Sequence, residues 1–372
     1  MQNKTNLVYD HQIFSISEYG GAARYFLKLI EYMNHQEKWN TELFSGLFMN
    51  QFLKKSQIKN KGMYFPRLPK IDTKIRLPIN NYFGDIFLKI NKPDIIHQTL
   101  YSPIKNHNSN FAIIITIHDL IHEKLNYIMR TNVDYEQKEI IKDKANSIYQ
   151  SNHIICVSES TKKDLLETYD VNTNKISVVH LGTDIDEIEP SNIQHPNPFL
   201  LYIGERNGYK NFLRFLDVYV NNEKINEKYN LICFGAGKFN HSEIKLINKY
   251  RKFKKKIFHI KGDDKTLASL YLQAVALICP SLYEGFGLPV LEAMRLKCPV
   301  ICSNIPCFLE ITDSNAHFFD PYSKEEINEV ITKNIFSKKN LITHVNPAYS
   351  QSLKYRWDET GRKTKDIYKK YI

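Results

Sequence analysis

Residues 274–296 read Ala-Val-Ala-Leu-Ile-Cys-Pro-Ser-Leu-Tyr-Glu-Gly-Phe-Gly-Leu-Pro-Val-Leu-Glu-Ala-Met-Arg-Leu. The opening run is short and continuously apolar, as a strand buried on both faces requires, and Pro280 and Ser281 end it. Downstream, Leu291, Glu292, Met294, Arg295 and Leu296 favour helix, and Pro289 fits only in the first helical turn. Gly285 and Gly287 therefore sit at a strand-to-helix junction.

The first N–H groups of a helix lack intrahelical partners and carry partial positive charge, so such a junction can hold a phosphate or a sugar oxygen. Glycine lets a ligand come close to them. Glu284 and Glu292 flank the turn, and carboxylates placed against a phosphate would repel it. They make sense as acceptors for hydroxyl groups on either side of the phosphates, an arrangement a nucleotide sugar supplies. The plain alternative is a buried strand-turn-helix with two solvated glutamates.

The rest of the chain repeats this pattern. Short apolar runs alternate with helical periodicity, which predicts parallel sheets covered by helices in an α/β fold. Strands are expected near Leu7–Tyr9, Thr41–Phe44, Asp94–Gln98, Phe111–His118, His153–Ser158 and Ile176–His180. A second set is expected near Phe199–Gly204, Leu231–Gly235, Ile257–Lys261, Val275–Pro280, Val300–Ser303 and Ala316–Phe319. The Pro-rich stretch 182–198 separates the sets and reads as a linker. At 372 residues the chain suits two domains, taken as 1–185 and 186–352, with 353–372 a final helix crossing back to the first. Ligands in such sheets bind at the carboxyl ends of the strands, so two facing domains would enclose a cleft.

No apolar run reaches the roughly 18 residues that span a bilayer, and the first nine residues lack the core of a signal peptide; a cytoplasmic location is expected. The six cysteines form no Cys-x-x-Cys pair and no histidine stands at zinc spacing beside them, which predicts reduced core thiols and no structural zinc. The net charge is +11, and Lys54, Lys55, Lys59, Lys61, Arg67, Lys70, Lys74 and Arg76 share a stretch with Asp72 as its single acid. Apolar side chains interleave with them, so residues 54–76 suit contact with an anionic membrane face as well as a solvated loop. No nucleic-acid motif accompanies the charge, and nucleic acid is not an expected partner.

Three further strand ends carry candidate groups. Leu201-Tyr202-Ile203-Gly204-Glu205-Arg206 leads through a glycine turn to Lys210, and a guanidinium with an ammonium would stabilise the charge a leaving diphosphate acquires. Phe234–Lys238 and Lys261–Asp264, the latter with Gly262, offer places for a base or ribose.

With these segments in view, the sequence resembles the retaining glycosyltransferases of family 4, which have the GT-B fold, and among them bacterial mannosyltransferases of O-antigen and capsule synthesis. The resemblance rests on Tyr9–Phe14 with Gly20 and Gly21, Thr116–Leu120, Val157–Leu165, Gly204–Phe212, Ser281–Met294, Asp320-Pro321 and Tyr355-Arg356-Trp357. It implies that Glu284 contacts the donor sugar and Glu292 the ribose. Backbone amides from Phe286 through Gly287 to Leu288 would hold the sugar and diphosphate, Arg206 and Lys210 would grip the diphosphate, and Gly20 and Gly21 would let the first domain close over it. His118 matches a histidine at the donor sugar, and Asp119 would orient its loop. Ser158 matches as well, but reads as a helix cap.

The resemblance further implies transfer of a hexose, mannose from GDP-mannose, to a saccharide or lipid-linked saccharide with retention at the anomeric carbon. No cofactor and no metal are expected, and the one Asp-x-Asp, Asp184-Ile185-Asp186, falls in the linker. A family 4 transferase using UDP-glucose, UDP-galactose or UDP-N-acetylglucosamine is the rival, and a non-enzymatic saccharide-binding protein a distant one. Leu181-Gly182 stands where many relatives have Asn-Gly, and Lys297 where a small residue is common. Residues 50–110 match little, so the acceptor stays unidentified.

Overall fold

In the computed structural model, which describes residues 4–66, 72–101, 111–124, 135–206, 208–249 and 256–372, both sets of apolar runs form parallel six-stranded sheets. The α/β, GT-B class expected from the sequence is the one the chain adopts. One unit holds the described residues of Met1–Glu123, Asn132–Gly182 and Trp357–Ile372, the other those of Lys124–Thr131 and Thr183–Arg356.

The first unit begins β1 (Thr5–Tyr9), α1 (Gln12–Ile16), α2 (Gly21–Asn34), β2 (Trp39–Leu43), β3 (Gly46–Phe48), α3 (Gln51–Lys55), β4 (Gly62–Tyr64) and α4 (Asp72–Asn91). It continues with β5 (Ile95–Gln98), β6 (Ala112–Ile117), β7 (His153–Cys156) and β8 (Ile176–Val178). The sheet order is β2-β1-β5-β6-β7-β8, while β3 and β4 form a separate parallel pair. Ile113, Ile115, Ile117, Ile154 and Leu165 make a core that covers β6 and β7, which explains why these strands are mostly apolar. The last helix, Trp357–Tyr368, packs on α2 at Gly361, whose missing side chain makes room for the Tyr32 ring. The Tyr368 and Tyr9 hydroxyls lie 3.0 Å apart beneath it.

The second unit contains β9 (Phe199–Ile203), β10 (Asn230–Phe234), β11 (Ile257–Ile260), β12 (Ala276–Cys279), β13 (Val300–Ser303) and β14 (His317–Phe319), in the order β11-β10-β9-β12-β13-β14. This is the doubly wound arrangement in which chain direction across the sheet reverses between the first and fourth strands, here β9 and β12. Phe212, Phe215, Leu216 and Tyr219 from the helix Phe212–Asn221 fill the core against Leu200 and Tyr202. Each fully buried side chain of this size contributes roughly 1.5–3 kcal/mol.

All six cysteines are buried and unpaired, as the sequence led us to expect. Ser158 caps the helix Glu159–Thr168 by accepting from Thr161 N at 2.9 Å. Lys297 has φ 55° at the end of its helix, which explains why a small residue suits that place. Among the described residues, no helix is long and apolar enough to cross a membrane.

The basic stretch divides. Arg67 and Lys70 lie outside the described residues, and Lys54, Lys55, Lys59 and Lys61 are exposed. Arg76 is not available to a surface: it is buried, and donates to the carbonyls of Phe65 at 2.8 Å and Pro66 at 3.2 Å. Leu53 and Ile58, two of the interleaved apolar residues, are buried as well.

Candidate active site

Strands β9 and β12 are hydrogen-bonded neighbours whose following segments turn to opposite sides, so their carboxyl ends border a crevice. The chain leaving β9 passes Gly204, at φ 107°, and the turn Gly208–Lys210, while the chain leaving β12 runs through Ser281–Gly287. Within this crevice Lys210 Nζ lies 2.6 Å from Glu284 Oε1, and Ser281 Oγ donates to the same oxygen at 2.7 Å. Burial alone would lower the Lys210 pKa; the Glu284 carboxylate outweighs it and holds the ammonium above its usual range. Asn211, buried and in the left-handed region at φ 57°, anchors this turn by donating to the carbonyls of Pro280 at 2.9 Å and Pro321 at 2.8 Å. Three strand ends are thereby tied together next to Lys210.

Gly287 begins the helix Leu288–Arg295 at φ 112°, and a Cβ there would come within 2.6 Å of the Phe308 ring. Both backbone and space therefore demand glycine. Leu288 is the first helical residue and Pro289 follows it, where the missing N–H costs nothing. Phe286 is buried edge-on against Tyr355, with ring centroids 5.9 Å apart. One turn on, Glu292 is buried and its Oε2 accepts from the Tyr271 hydroxyl at 2.8 Å. Arg295 fixes the far end of the helix by pairing with Asp186 at 3.2 Å and donating to the carbonyls of Ser352 and Tyr355. Asp186, half of the Asp-x-Asp noted in the sequence, is thus engaged in structure.

Arg206 departs from the sequence picture of a side chain held ready for a ligand. It is buried, its Nε donates to Glu243 Oε1 at 2.9 Å, and its Nη2 donates to the Gly237 carbonyl at 2.6 Å. Its Nη1, also buried, has no hydrogen-bond partner among the described residues. Gly262 follows the edge strand β11, two strands from β9, and a Cβ there would meet Thr266 at 2.6 Å. Packing against Thr266 accounts for this glycine. Lys210, Glu284, Phe286, Gly287, Leu288 and Glu292 are therefore brought together around β9 and β12, while Gly262 follows the edge strand β11. Asn207 lies outside the described residues.

In the first unit, Gly20 caps α2 at φ 146° and Gly21 is the first residue of that helix. His118 follows β6 and is half-buried, edge-on against Tyr25 with centroids 5.3 Å apart; its Nε2 is buried and has no hydrogen-bond partner among the described residues. Burial pushes the imidazole down to about 4, against the raising influence of Asp119, so the ring is neutral near pH 7. Asp119 Oδ1 accepts from Ile121 N at 3.1 Å, and its carbonyl accepts from Lys144 Nζ at 3.1 Å. Lys144 is itself buried and paired with Glu123 at 2.9 Å, and Glu123 takes a further bond from the Tyr169 hydroxyl at 2.8 Å.

Sequence reading missed Lys144, Glu123, Tyr271, Asn211 and Glu243. For Glu243 a signal exists: Asn240 and Glu243 form a reciprocal cap, with Asn240 N donating to Glu243 Oε2 at 2.6 Å and Glu243 N to Asn240 Oδ1 at 3.0 Å. The others are set by distant pairings that local pattern does not carry.

The second of two parallel sheets thus carries a cation, two carboxylates and a glycine-led helix at its switch point, and the pair of sheets is that of a GT-B scaffold. Residues 19–187 match the family model described as Glycosyltransferase Family 4, and residues 184–343 the one described as Glycosyl transferases group 1. The chain belongs to this glycosyltransferase family. It is 29% identical to the O-antigen chain mannosyltransferase RfbU of Salmonella typhimurium over 202 residues, 54% of this chain and 55% of that protein. The match thus spans about half the length of that relative. It is 21% identical to O-antigen chain mannosyltransferase B of Escherichia coli over 369 residues, 89% of this chain and 95% of that protein. Among solved structures, WaaG, described as a glycosyltransferase involved in lipopolysaccharide biosynthesis, superposes with a TM-score of 0.77 at 14% identity, covering 97% of this chain and 99% of that one.

Proposed function

We propose that this chain is a retaining hexosyltransferase that moves mannose from GDP-mannose to a saccharide or lipid-linked saccharide during assembly of a surface polysaccharide at the cytoplasmic face of the membrane. The observation that carries the site is the Lys210–Glu284 pair at the crevice beside the amino end of the helix Leu288–Arg295. The mannosyl reading is supported by the likeness to RfbU and to O-antigen chain mannosyltransferase B.

In this reading the diphosphate sits against the helix start at Phe286–Leu288 and against Lys210, with Arg206 Nη1 as a second donor. Glu284 Oε1 holds Lys210 and Ser281, which leaves Oε2 to accept from a sugar hydroxyl. Glu292, oriented by Tyr271, accepts from the ribose. His118, neutral at pH 7, hydrogen-bonds the donor sugar. The bond from the anomeric carbon to the diphosphate oxygen breaks as an acceptor hydroxyl attacks the same face, and a leaving diphosphate oxygen takes the hydroxyl proton. The configuration at carbon is thereby kept. Side-chain cations and backbone amides carry the developing charge, so the proposed reaction uses no cofactor and no metal, and turnover is expected to be unchanged by a chelator.

A donor screen tests this reading, following thermal stabilisation by GDP-mannose, UDP-glucose, UDP-galactose and UDP-N-acetylglucosamine. Stabilisation by GDP-mannose alone is expected. Preference for a UDP sugar would keep the site and overturn the mannosyl assignment.

A further inference from the structure

Helix α4 carries its apolar side chains outward. Ile75, Ile79, Tyr82, Phe83, Ile86 and Ile90 recur at helical spacing on one face and are 36% to 72% exposed. Its inward face is anchored by polar groups beside Phe87, whose ring stacks on Phe44 with centroids 5.2 Å apart: Arg76 donates to the carbonyls of Phe65 and Pro66, and Asn80 donates to Ser15 Oγ at 2.8 Å and the Leu47 carbonyl at 2.9 Å. Asn80 Oδ1 also accepts from Leu47 N at 2.8 Å. These polar bonds fix the rotation of the helix, so the apolar stripe is held toward solvent by the fold itself. A contiguous exposed apolar stripe of this size marks a contact surface.

Charge identifies the occupant. Lys54, Lys55, Lys59 and Lys61 are exposed and no acid occurs in residues 51–66. That segment lies beside α4, since Arg76 of α4 bonds the chain directly after β4 and Lys54 sits over Tyr64 of β4 at 4.0 Å. Met63 of β4, 61% exposed, adds apolar area next to these lysines. On α4 the exposed charges after Arg76 are Asp85 and Lys89. A second copy docked symmetrically would bring the lysine groups toward each other, whereas an anionic lipid surface complements them.

We infer that the outward face of α4 lies in the interface of an anionic bilayer, with the lysines of residues 54–61 against the headgroups. The helix rests along the surface rather than crossing it. This surface is displaced from the stretch 54–76 that sequence suggested: the lysines remain, but the apolar contact comes from residues 75–90. Asn81 of α4 bonds His11 Nε2 at 3.0 Å, and His11 follows β1 at the carboxyl end of the first sheet. A membrane under α4 would therefore hold lipid-linked molecules near that end of the sheet.

Co-sedimentation of the full chain with phosphatidylglycerol–phosphatidylcholine vesicles, against phosphatidylcholine alone, tests the inference without any donor or acceptor. Binding to the anionic vesicles that weakens with salt is expected. The Tyr82→Ser/Phe83→Ser/Ile90→Ser variant, at the three most outward positions after Asn80, should bind about tenfold or more weakly with little change in thermal midpoint, because three apolar contacts with lipid are removed. The Lys55→Gln/Lys59→Gln/Lys61→Gln variant should lose most of the salt sensitivity and the preference for anionic lipid. Absence of wild-type binding to anionic vesicles, or unaltered binding of both variants, would overturn the inference. So would a dimer in solution that the serine variant abolishes. Donor binding in the second unit is read separately by thermal shift, so failure of either result leaves the other standing.

Discussion

Lys210 Nζ and Glu284 Oε1 are 2.6 Å apart, and this pair joins the segment leaving β9 to the segment leaving β12 across the switch point of the second sheet. Both side chains are largely buried, so the pair is an expensive arrangement unless it serves a ligand. Ser281 adds a second bond to the same oxygen, which fixes the carboxylate plane.

Replacing one member of this pair should cost more in turnover than in folding. Lys210→Met removes a cation proposed to face the developing diphosphate charge, and kcat should fall by about 100- to 1000-fold. Glu284→Gln keeps the shape and should also depress turnover, while both proteins elute and unfold as cooperative species. Initial-rate kinetics with a single donor measures this.

Gly287 admits no side chain. Gly287→Ala places a methyl group within 2.6 Å of Phe308 at a φ of 112°, and should destabilise the second unit by about 1–3 kcal/mol. Urea denaturation should report a lower midpoint with unchanged slope, together with weaker donor binding.

Tyr271 orients a buried carboxylate. Tyr271→Phe leaves Glu292 Oε2 without this donor, and should cost about 1.5–3 kcal/mol of stability, the worth of a hydrogen bond to a charged group. If Glu292 holds the ribose, the variant should raise the KM for the donor more than it lowers kcat.

Acid should weaken the first unit before its carboxylates titrate. Burial lowers His118 to about 4 and His97 to about 3, so both are neutral in the folded chain near pH 7. An unfolded chain takes up those protons near pH 6.5, so the stability they contribute is fully present above that value. It is lost as pH falls, by about 1.4 kcal/mol per pH unit for each group, until His118 protonates near pH 4 and His97 near pH 3. Chemical denaturation between pH 7 and pH 5 reads this slope, and His97→Asn should reduce it.

Lys144 and Glu123 form a buried pair that also holds the Asp119 carbonyl. Lys144→Met strands the Glu123 charge and should cost about 3–5 kcal/mol, whereas Lys144→Met/Glu123→Leu should recover most of that loss. Thermal unfolding of the two variants separates the stranded charge from simple loss of packing.

The two sheets were legible because parallel strands are buried on both faces: Phe111–Ile115 and Leu231–Phe234 are unbroken apolar runs that cannot be mistaken for surface. The turn from Glu284 to Glu292 was legible because glycine, proline and carboxylate each have one sensible place at a strand-to-helix junction. Helix α4 was not, since its outer face is the apolar one and Pro78 lies within it, so amphipathic reasoning has the wrong sign. Short β3 and β4 pair without a run of their own. The engagement of Arg206 by Glu243, 37 residues away, depends on where two loops meet, which periodicity does not encode. Gly262 lies against Thr266, four residues on, a contact that local pattern does not show.

The most direct test of the central claim is release of nucleoside diphosphate from GDP-mannose, followed side by side for the wild-type chain, Lys210→Met and Glu284→Gln. The account predicts release by the wild-type chain, stimulated by a saccharide acceptor, and loss of about 100-fold or more in each variant. Equal release by all three proteins would contradict the assignment of the site to the Lys210–Glu284 crevice.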